Sequence, residues 1–397
     1  MTSEQELFLA LLKEFSTGTK QTKIPEKVDW EILYEYAKDQ SLLGICYILL
    51  RDHACSSENI PMDALSRFQE GFFNDAYSYA NQRACMHELM SRIQETGIAV
   101  CPFKGWVVKS YWPQPELRTM GDIDILIHTE DRTIVNDIMM DLGYERYIDN
   151  HAVWSYHAQD ILFEVHDHMF YEHLTNDVDY IGYFDKAWDY CTSELDESFH
   201  FLYLITHLAK HTVNKGMGFR AYMDLIFMCR EAADRLNWDW ICEELEKLKL
   251  LNFARTCLAF CREWFGFQPP IEVEELDRTF AEYVTGKMFG DGIFGLTNEQ
   301  NEASSSAKEI THDQTSYLVG AVKLAMRRLF PPYRDMQLIP WYSFVDGRPW
   351  LMPVAWVYRW GYCLVHKRSY GAKLLTEPFG KRDIIEKRQK LIKDWGL

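Results

Sequence analysis

Residues 121–127, Gly121-Asp122-Ile123-Asp124-Ile125-Leu126-Ile127, set two carboxylates two positions apart inside an otherwise apolar run. Successive side chains of a β-strand point to opposite faces, so Asp122 and Asp124 share one face and Ile123, Ile125 and Ile127 the other. Burying an unpaired carboxylate is costly, and burying two side by side more so. A divalent cation between them meets the need, and the oxygen donors suit Mg²⁺, with Mn²⁺ as the alternative. An Asp-x-Asp at an exposed strand end is also a common surface feature, and the run alone does not choose between the two.

Upstream, Ile98 to Phe103 reads as a short buried strand after a long helical stretch, and Lys104-Gly105 opens a helix from Trp106 to Tyr111. Strand, glycine turn and helix start form the geometry that lets backbone N–H groups approach a phosphate, and Lys104 adds a point charge. The proline-rich loop from Tyr111 to Met120 delivers Arg118 close to the carboxylates, where it either binds phosphate or neutralises an aspartate. Downstream, Asp131 to Leu142 has helical periodicity and stops at Gly143. Tyr144–Ile148, Val153–Tyr156 and Ile161–His166 then alternate as three strands. The last carries Glu164-Val165-His166. If it pairs beside the strand of Asp122 and Asp124, Glu164 becomes the third carboxylate of a two-metal arrangement, which clamps the attacking and leaving oxygens of an in-line phosphoryl displacement. A salt bridge on an edge strand is the plainer role for Glu164. His166, on the same face, could orient a metal ligand, bind phosphate or act as a base; a half-buried structural histidine is its plainer role. Asp167 points the other way.

The order of apolar strand, Lys-Gly, helix, Tyr-x-Pro-x-Pro-x-x-Arg-x-x-Gly-Asp-Ile-Asp-Ile-Leu-Ile, helix, Gly-Tyr and a strand ending Glu-x-His resembles the nucleotidyltransferase-like proteins of the DNA polymerase β superfold. More narrowly it is similar to a largely uncharacterised bacterial branch in which Lys-Gly stands where better-known members carry Gly-Ser. The likeness is concentrated in residues 98 to 168. It implies an α+β fold, a small mixed sheet with helices behind it. It also implies Mg²⁺ bound by Asp122, Asp124 and Glu164, and transfer of a nucleoside monophosphate from an NTP, ATP first, to an acceptor. On this resemblance Lys104, Gly105, Arg118, Gly121 and His166 belong to the nucleotide and phosphate contacts. Without the Gly-Ser pair the serine contact to the terminal phosphates is missing, and Lys104 and Arg118 are the candidates to replace it.

The chain of 397 residues is 47% hydrophobic and 15% aromatic, enough for a substantial core and for two or three subdomains. A formal net charge of −17 argues against a large basic surface for an extended nucleic acid and favours a small-molecule or protein acceptor. Ten cysteines without C-x-x-C spacing, Cys46, Cys229, Cys257 and Cys363 among them, read as core residues in a reducing compartment. Neither a signal peptide nor a charge-free apolar run of membrane-spanning length is visible, so a cytoplasmic protein without membrane partners is expected.

The organisation reads as an N-terminal helical region (1–95), a nucleotidyltransferase-like α/β core (96–190) and a C-terminal helical region (191–397). Phe199–Thr212, Arg220–Leu236, Trp238–Leu248 and Asn252–Phe265 are its clearest C-terminal helices. The segment 298–308 reads as a loop, Val319–Phe330 as an amphipathic helix, and Met352–Val365 as a core helix, being short for a membrane span and holding Arg359. His207 and His211 stand one helical turn apart, but Ala209 and Lys210 occupy the positions between, so metalloprotease chemistry is not expected. His211, Arg220 and Asp224 are instead expected on the helical side of the cleft, the first two toward phosphate or acceptor and Asp224 as a helix cap or a partner of Arg220. Against the transferase, with AMP the favoured group, stand two other readings. One is a degenerate nucleotide-binding or regulatory module, and the other a metal-dependent phosphohydrolase built on the histidines.

Overall fold

The computed structural model describes residues 1–56, 60–149, 153–174, 176–192, 194–214, 216–291, 317–333, 336, 340–345, 347–366 and 382–397. The expected loop at 298–308 lies outside them. Five strands, β1 (Val100–Pro102), β2 (Ile123–Ile127), β3 (Glu145–Asp149), β4 (Val153–Ala158) and β5 (Ile161–His166), form one mixed sheet in the order β1-β2-β5-β4-β3. The pair β2 and β5 is parallel, and the other neighbours are antiparallel. This α+β arrangement, a small mixed sheet flanked by helices, is the fold class expected from the sequence.

All five residues of β2 are buried. Its alternation separates two environments. Ile123, Ile125 and Ile127 pack with Phe163 and Val165 of β5, with Val135, Ile138 and Met139 of helix α6 (Arg132–Asp141) and with Met86, Leu89 and Ile93 of helix α4 (Met62–Thr96). Leu126 joins the larger core on the opposite side. In the parallel register Asp124 lies beside Glu164 and Leu126 beside His166. The alternation of β2 therefore drives its isoleucines into one layer and holds Asp124 with Glu164 against the other.

Helix α4 runs 35 residues and ends at Gly97 with φ 74°, the left-handed cap that redirects the chain into β1. Its Phe68 belongs to the larger core and its Met86, Leu89 and Ile93 to the sheet layer. That larger core also draws on α1 (Ser3–Thr17), α2 (Trp30–Asp39) and α3 (Leu43–Ala54), and on α8 (Glu197–Asn214), α9 (Phe219–Glu231), α10 (Trp238–Lys247), α11 (Leu251–Phe265) and α12 (Arg278–Asp291). The short helices α5 (Gly105–Val108) and α7 (Tyr180–Phe184) lie between these groups in sequence.

Three further helices follow, α13 (Tyr317–Leu329), α14 (Met352–His366) and α15 (Arg382–Asp394). The reading of α14 as a core helix needs correction. Met352 and Ala355 sit in a small separate cluster, but Val357 is 73% exposed and Val354, Tyr358 and Tyr362 are exposed with it. Trp356 and Trp360, one turn apart and half-buried, pack on Phe330, so that one face of the helix is partly covered and the other is not. Among the described residues no helix is long and apolar enough to cross a membrane.

Candidate active site

Asp124 is the centre of the site. Its Oδ1 accepts the ammonium of Lys104 at 2.5 Å and Nε2–H of His166 at 2.8 Å, and Glu164 lies close, its Oε2 3.5 Å from His166 Nε2 and 4.0 Å from Lys104 Nζ. Burial opposes the Asp124 charge, yet Lys104 and His166 outweigh it and hold the carboxyl below its ordinary range. For Lys104 burial likewise opposes the charge, and Asp124, then further groups including Asp122 and Glu164, raise the ammonium well above its usual value. Asp122, just before β2, feels the reverse balance: the neighbouring charge of Asp124, and then burial, push its carboxyl up to about 6. That crowding of like charge is what a bound cation would relieve.

The donor set fits a divalent ion. Asp124, Glu164 and His166 each offer a ligand atom within 4.8 Å of the others, and the Asp122 carboxyl faces the same cavity. Carboxylate oxygens suit Mg²⁺, and Mn²⁺ shares the same oxygen ligands. His166 is fully buried, and because a carboxylate only accepts, Nε2 must carry the proton in the bond to Asp124. Here it orients Asp124, and its Nδ1 has no hydrogen-bond partner among the described residues.

Lys104 is placed by its backbone as much as by its charge. Its φ of 51° and ψ of −132° are rarely adopted by a residue with a side chain. Its N–H donates to Nε2 of His200 at 3.2 Å. Burial, then the charge of Arg118, lowers His200 to about 3, so it stays neutral and accepts that bond. One backbone donor expected to face phosphate is therefore engaged elsewhere. Gly105 serves close approach: a Cβ there would stand 2.8 Å from Nη1 of Arg118 and 3.1 Å from Sδ of Met120.

Arg118 neutralises an aspartate, though not one in β2. Its Nε and Nη2 each donate to Asp224 of α9 at 2.7 Å, and Trp112 Nε1 donates to the same carboxylate at 2.8 Å. Asp224 is thus paired with Arg118, while Arg220 donates from Nη1 to the carbonyl and hydroxyl of Thr119 at 2.9 and 3.2 Å. Arg220 makes no ion pair among the described residues, and burial, then Arg118, lower its guanidinium to about 10.

These side chains line one cavity of about 320 Å³. On the sheet side stand Lys104, Gly105, Gly121, Asp122, Asp124 and Glu164; on the helical side stand His207, Lys210, His211, Gly218, Arg220 and Asp224. Every residue named from sequence for the site borders it except His166, which lies behind Asp124. His207 and His211 meet through their Nε2 atoms at 3.0 Å. Burial, then His211, pushes His207 well below its usual range, so it is neutral near pH 7. Lys210 pairs with Glu172 at 3.1 Å and lies 4.7 Å over the Tyr171 ring. His200 and Trp112 were missed, because a histidine on an apolar helix and a tryptophan in a loop carry no local sign of what they touch.

Beside Arg118 and Arg220 lies Lys109, 3% exposed, with Nζ 4.0 Å over the Tyr79 ring. Burial, then Arg118 and Arg220, lower this ammonium to about 7. An unfolded lysine titrates near ~10.4, so between the two values the unfolded chain holds a proton that the native protein lacks. Stability consequently rises with pH across that window, and the contribution is lost as pH falls through about 7. Lys109→Met is expected to be more stable than the wild type near neutrality, with the gain shrinking toward about pH 10. Urea unfolding at both ends of the window checks this, and a difference independent of pH refutes it.

Paired carboxylates on adjacent parallel strands of a small mixed sheet, facing Arg220 and Lys210 on a helical wall across an open cleft, accord with a nucleotidyltransferase-like protein. Residues 26–266 match the model of a family described as uncharacterised nucleotidyltransferase. That span is more than half of the chain, and the chain belongs to this family. No curated protein and no solved structure matches it significantly.

Proposed function

We propose that the protein is a divalent-metal-dependent nucleotidyltransferase that moves a nucleoside monophosphate, AMP first, from an NTP to a small-molecule or protein acceptor. The observation that supports it best is the Asp124 and Glu164 pair side by side in β2 and β5, with Asp122 on the same cavity. A metal bound there, Mg²⁺ with Mn²⁺ as the alternative, would polarise the phosphates and lower the pKa of an acceptor hydroxyl. Asp122, Asp124 and Glu164 would hold it, and His166 keeps Asp124 oriented. Across the cavity, the Arg220 guanidinium and the positive N-terminal end of α9 at Gly218 face phosphate oxygens, although the Phe219 N–H of that turn is given to Gln40. His211 faces the same space. The acceptor oxygen would attack the α-phosphorus in line, the bond to the β-phosphate oxygen would break, and pyrophosphate would leave.

Arg118, fixed to Asp224, contributes by shaping the wall beside Gly105. The net charge of −17 supports an acceptor other than an extended nucleic acid. A cytoplasmic setting accords with the cysteines, all free among the described residues.

The test is thermal unfolding with each of the four common NTPs, with and without Mg²⁺ or Mn²⁺. Ligand at about a hundred times its dissociation constant stabilises the native state by roughly 2.7 kcal/mol. The expected result is a metal-dependent rise for one NTP, absent in Asp122→Ala/Asp124→Ala, with pyrophosphate released when acceptor is supplied. A shift without pyrophosphate release under any acceptor would favour a binding module. No shift with any NTP would overturn the transferase reading.

A further inference from the structure

Asp124 Oδ1 carries two donors at once, the Lys104 ammonium at 2.5 Å and His166 Nε2 at 2.8 Å. A pair of divalent ions about 3.5–4 Å apart needs a carboxylate whose two oxygens reach one ion each. In Asp124 one of those oxygens is already engaged. Lys104 Nζ also stands 4.0 Å from Glu164 Oε2, so the ammonium lies between the two carboxylates that β2 and β5 bring together.

The ammonium is held there. Lys104 begins in a strained backbone conformation, its N–H is bound to His200, and its carbonyl accepts the N–H of Val108 at 3.0 Å. Its Nζ lies 5.2 Å over the Phe103 ring, and its side chain is 14% exposed. The next residue, Gly105, packs against Arg118, which Asp224 grips through two hydrogen bonds. These contacts fix the backbone from which the side chain reaches, and the Asp124 carboxylate and the Phe103 ring hold the ammonium itself.

We propose that Lys104 permanently occupies one of the two cation positions of the cleft, so that the protein binds a single divalent ion through Asp122, the remaining oxygen of Asp124, and Glu164. The inference rests on the reading of these carboxylates as metal ligands. It makes Lys104 a built-in counter-ion that sets the metal count. The sequence feature behind it is the Lys104-Gly105 pair two residues after β1.

The test is a titration of the metal-free full-length protein with Mn²⁺ alone, counting bound ions by electron paramagnetic resonance. Wild type should bind one Mn²⁺ per chain with no spin coupling. Lys104→Gly suits the positive φ, and Lys104→Met removes only the charge; each should double the stoichiometry and give a spin-coupled pair. Two coupled ions in the wild type, or a single ion still in both variants, would overturn the proposal while leaving a metal-dependent transferase intact. Absence of Mn²⁺ binding in the wild type and both variants would overturn the proposal together with the metal-dependent reading of the site.

Discussion

Asp124→Asn is expected to abolish nucleotidyl transfer and to destabilise the protein by about 3–5 kcal/mol, the loss typical of a buried ion pair broken from one side. Asp124 is 2% exposed and accepts from both Lys104 and His166 through one oxygen. An amide is nearly the same size, so packing is preserved. It carries no charge, and the Lys104 ammonium is left beside Glu164 with its shortest contact weakened. On the proposed function, a preorganised charge at the reacting phosphate is worth about 10²–10³ in rate, and loss of a metal held by Asp124 would add to that. Urea unfolding and pyrophosphate release, measured on the same preparation, check both halves. A variant as stable as the wild type would mean that the Lys104–Asp124 pair contributes nothing to the fold.

The second large effect concerns Arg118 and Asp224, which are 106 positions apart in sequence and joined by two hydrogen bonds of 2.7 Å. Both side chains are more than nine-tenths buried. Arg118→Met and Asp224→Asn should each cost about 3–5 kcal/mol, because each leaves the other charge buried and unpaired. The double variant should lose far less than the sum, since neither charge then remains. Trp112 Nε1 still finds an oxygen in Asp224→Asn, so that variant isolates the charge. Were Arg118 instead a phosphate ligand with a dispensable pair, Arg118→Met would keep its stability and lose nucleotide binding. Denaturant titrations of the four proteins, with the nucleotide thermal shift on each, separate the two outcomes.

The carboxylates were legible because the period of a strand is a local property: alternation in 121–127 and 161–166 is enough to put Asp124 and Glu164 on matching faces once the strands pair. The strands after Gly143 and the helix at 131–142 came from the same kind of local pattern, while the small mixed sheet was implied by the family resemblance. Partners were another matter. Lys104 was expected at phosphate and is paired with Asp124, because burial makes the nearest carboxylate decisive and no spacing rule reports that distance. Asp224 was given Arg220 as its neighbour in the helix, and Arg118 takes it from across the fold. The packing of α1, α2 and α3 with α8 through α12 in one core is similarly invisible to any window of sequence. On α14, read from sequence as a core helix, Met352 and Ala355 are covered and Trp356 and Trp360 half-buried, while Val354, Val357, Tyr358 and Tyr362 are exposed.

Strand β2 is buried on both faces and keeps its isoleucines in one layer and Asp124 in the other. A change of one residue in length between Gly121 and Asp124 would exchange those faces, driving the carboxylate into the isoleucine layer. This stretch can therefore diverge between relatives by substitution and not by insertion or deletion. Length variation must fall elsewhere, and the spacing of the two aspartates becomes a ruler against which any such chain can be aligned.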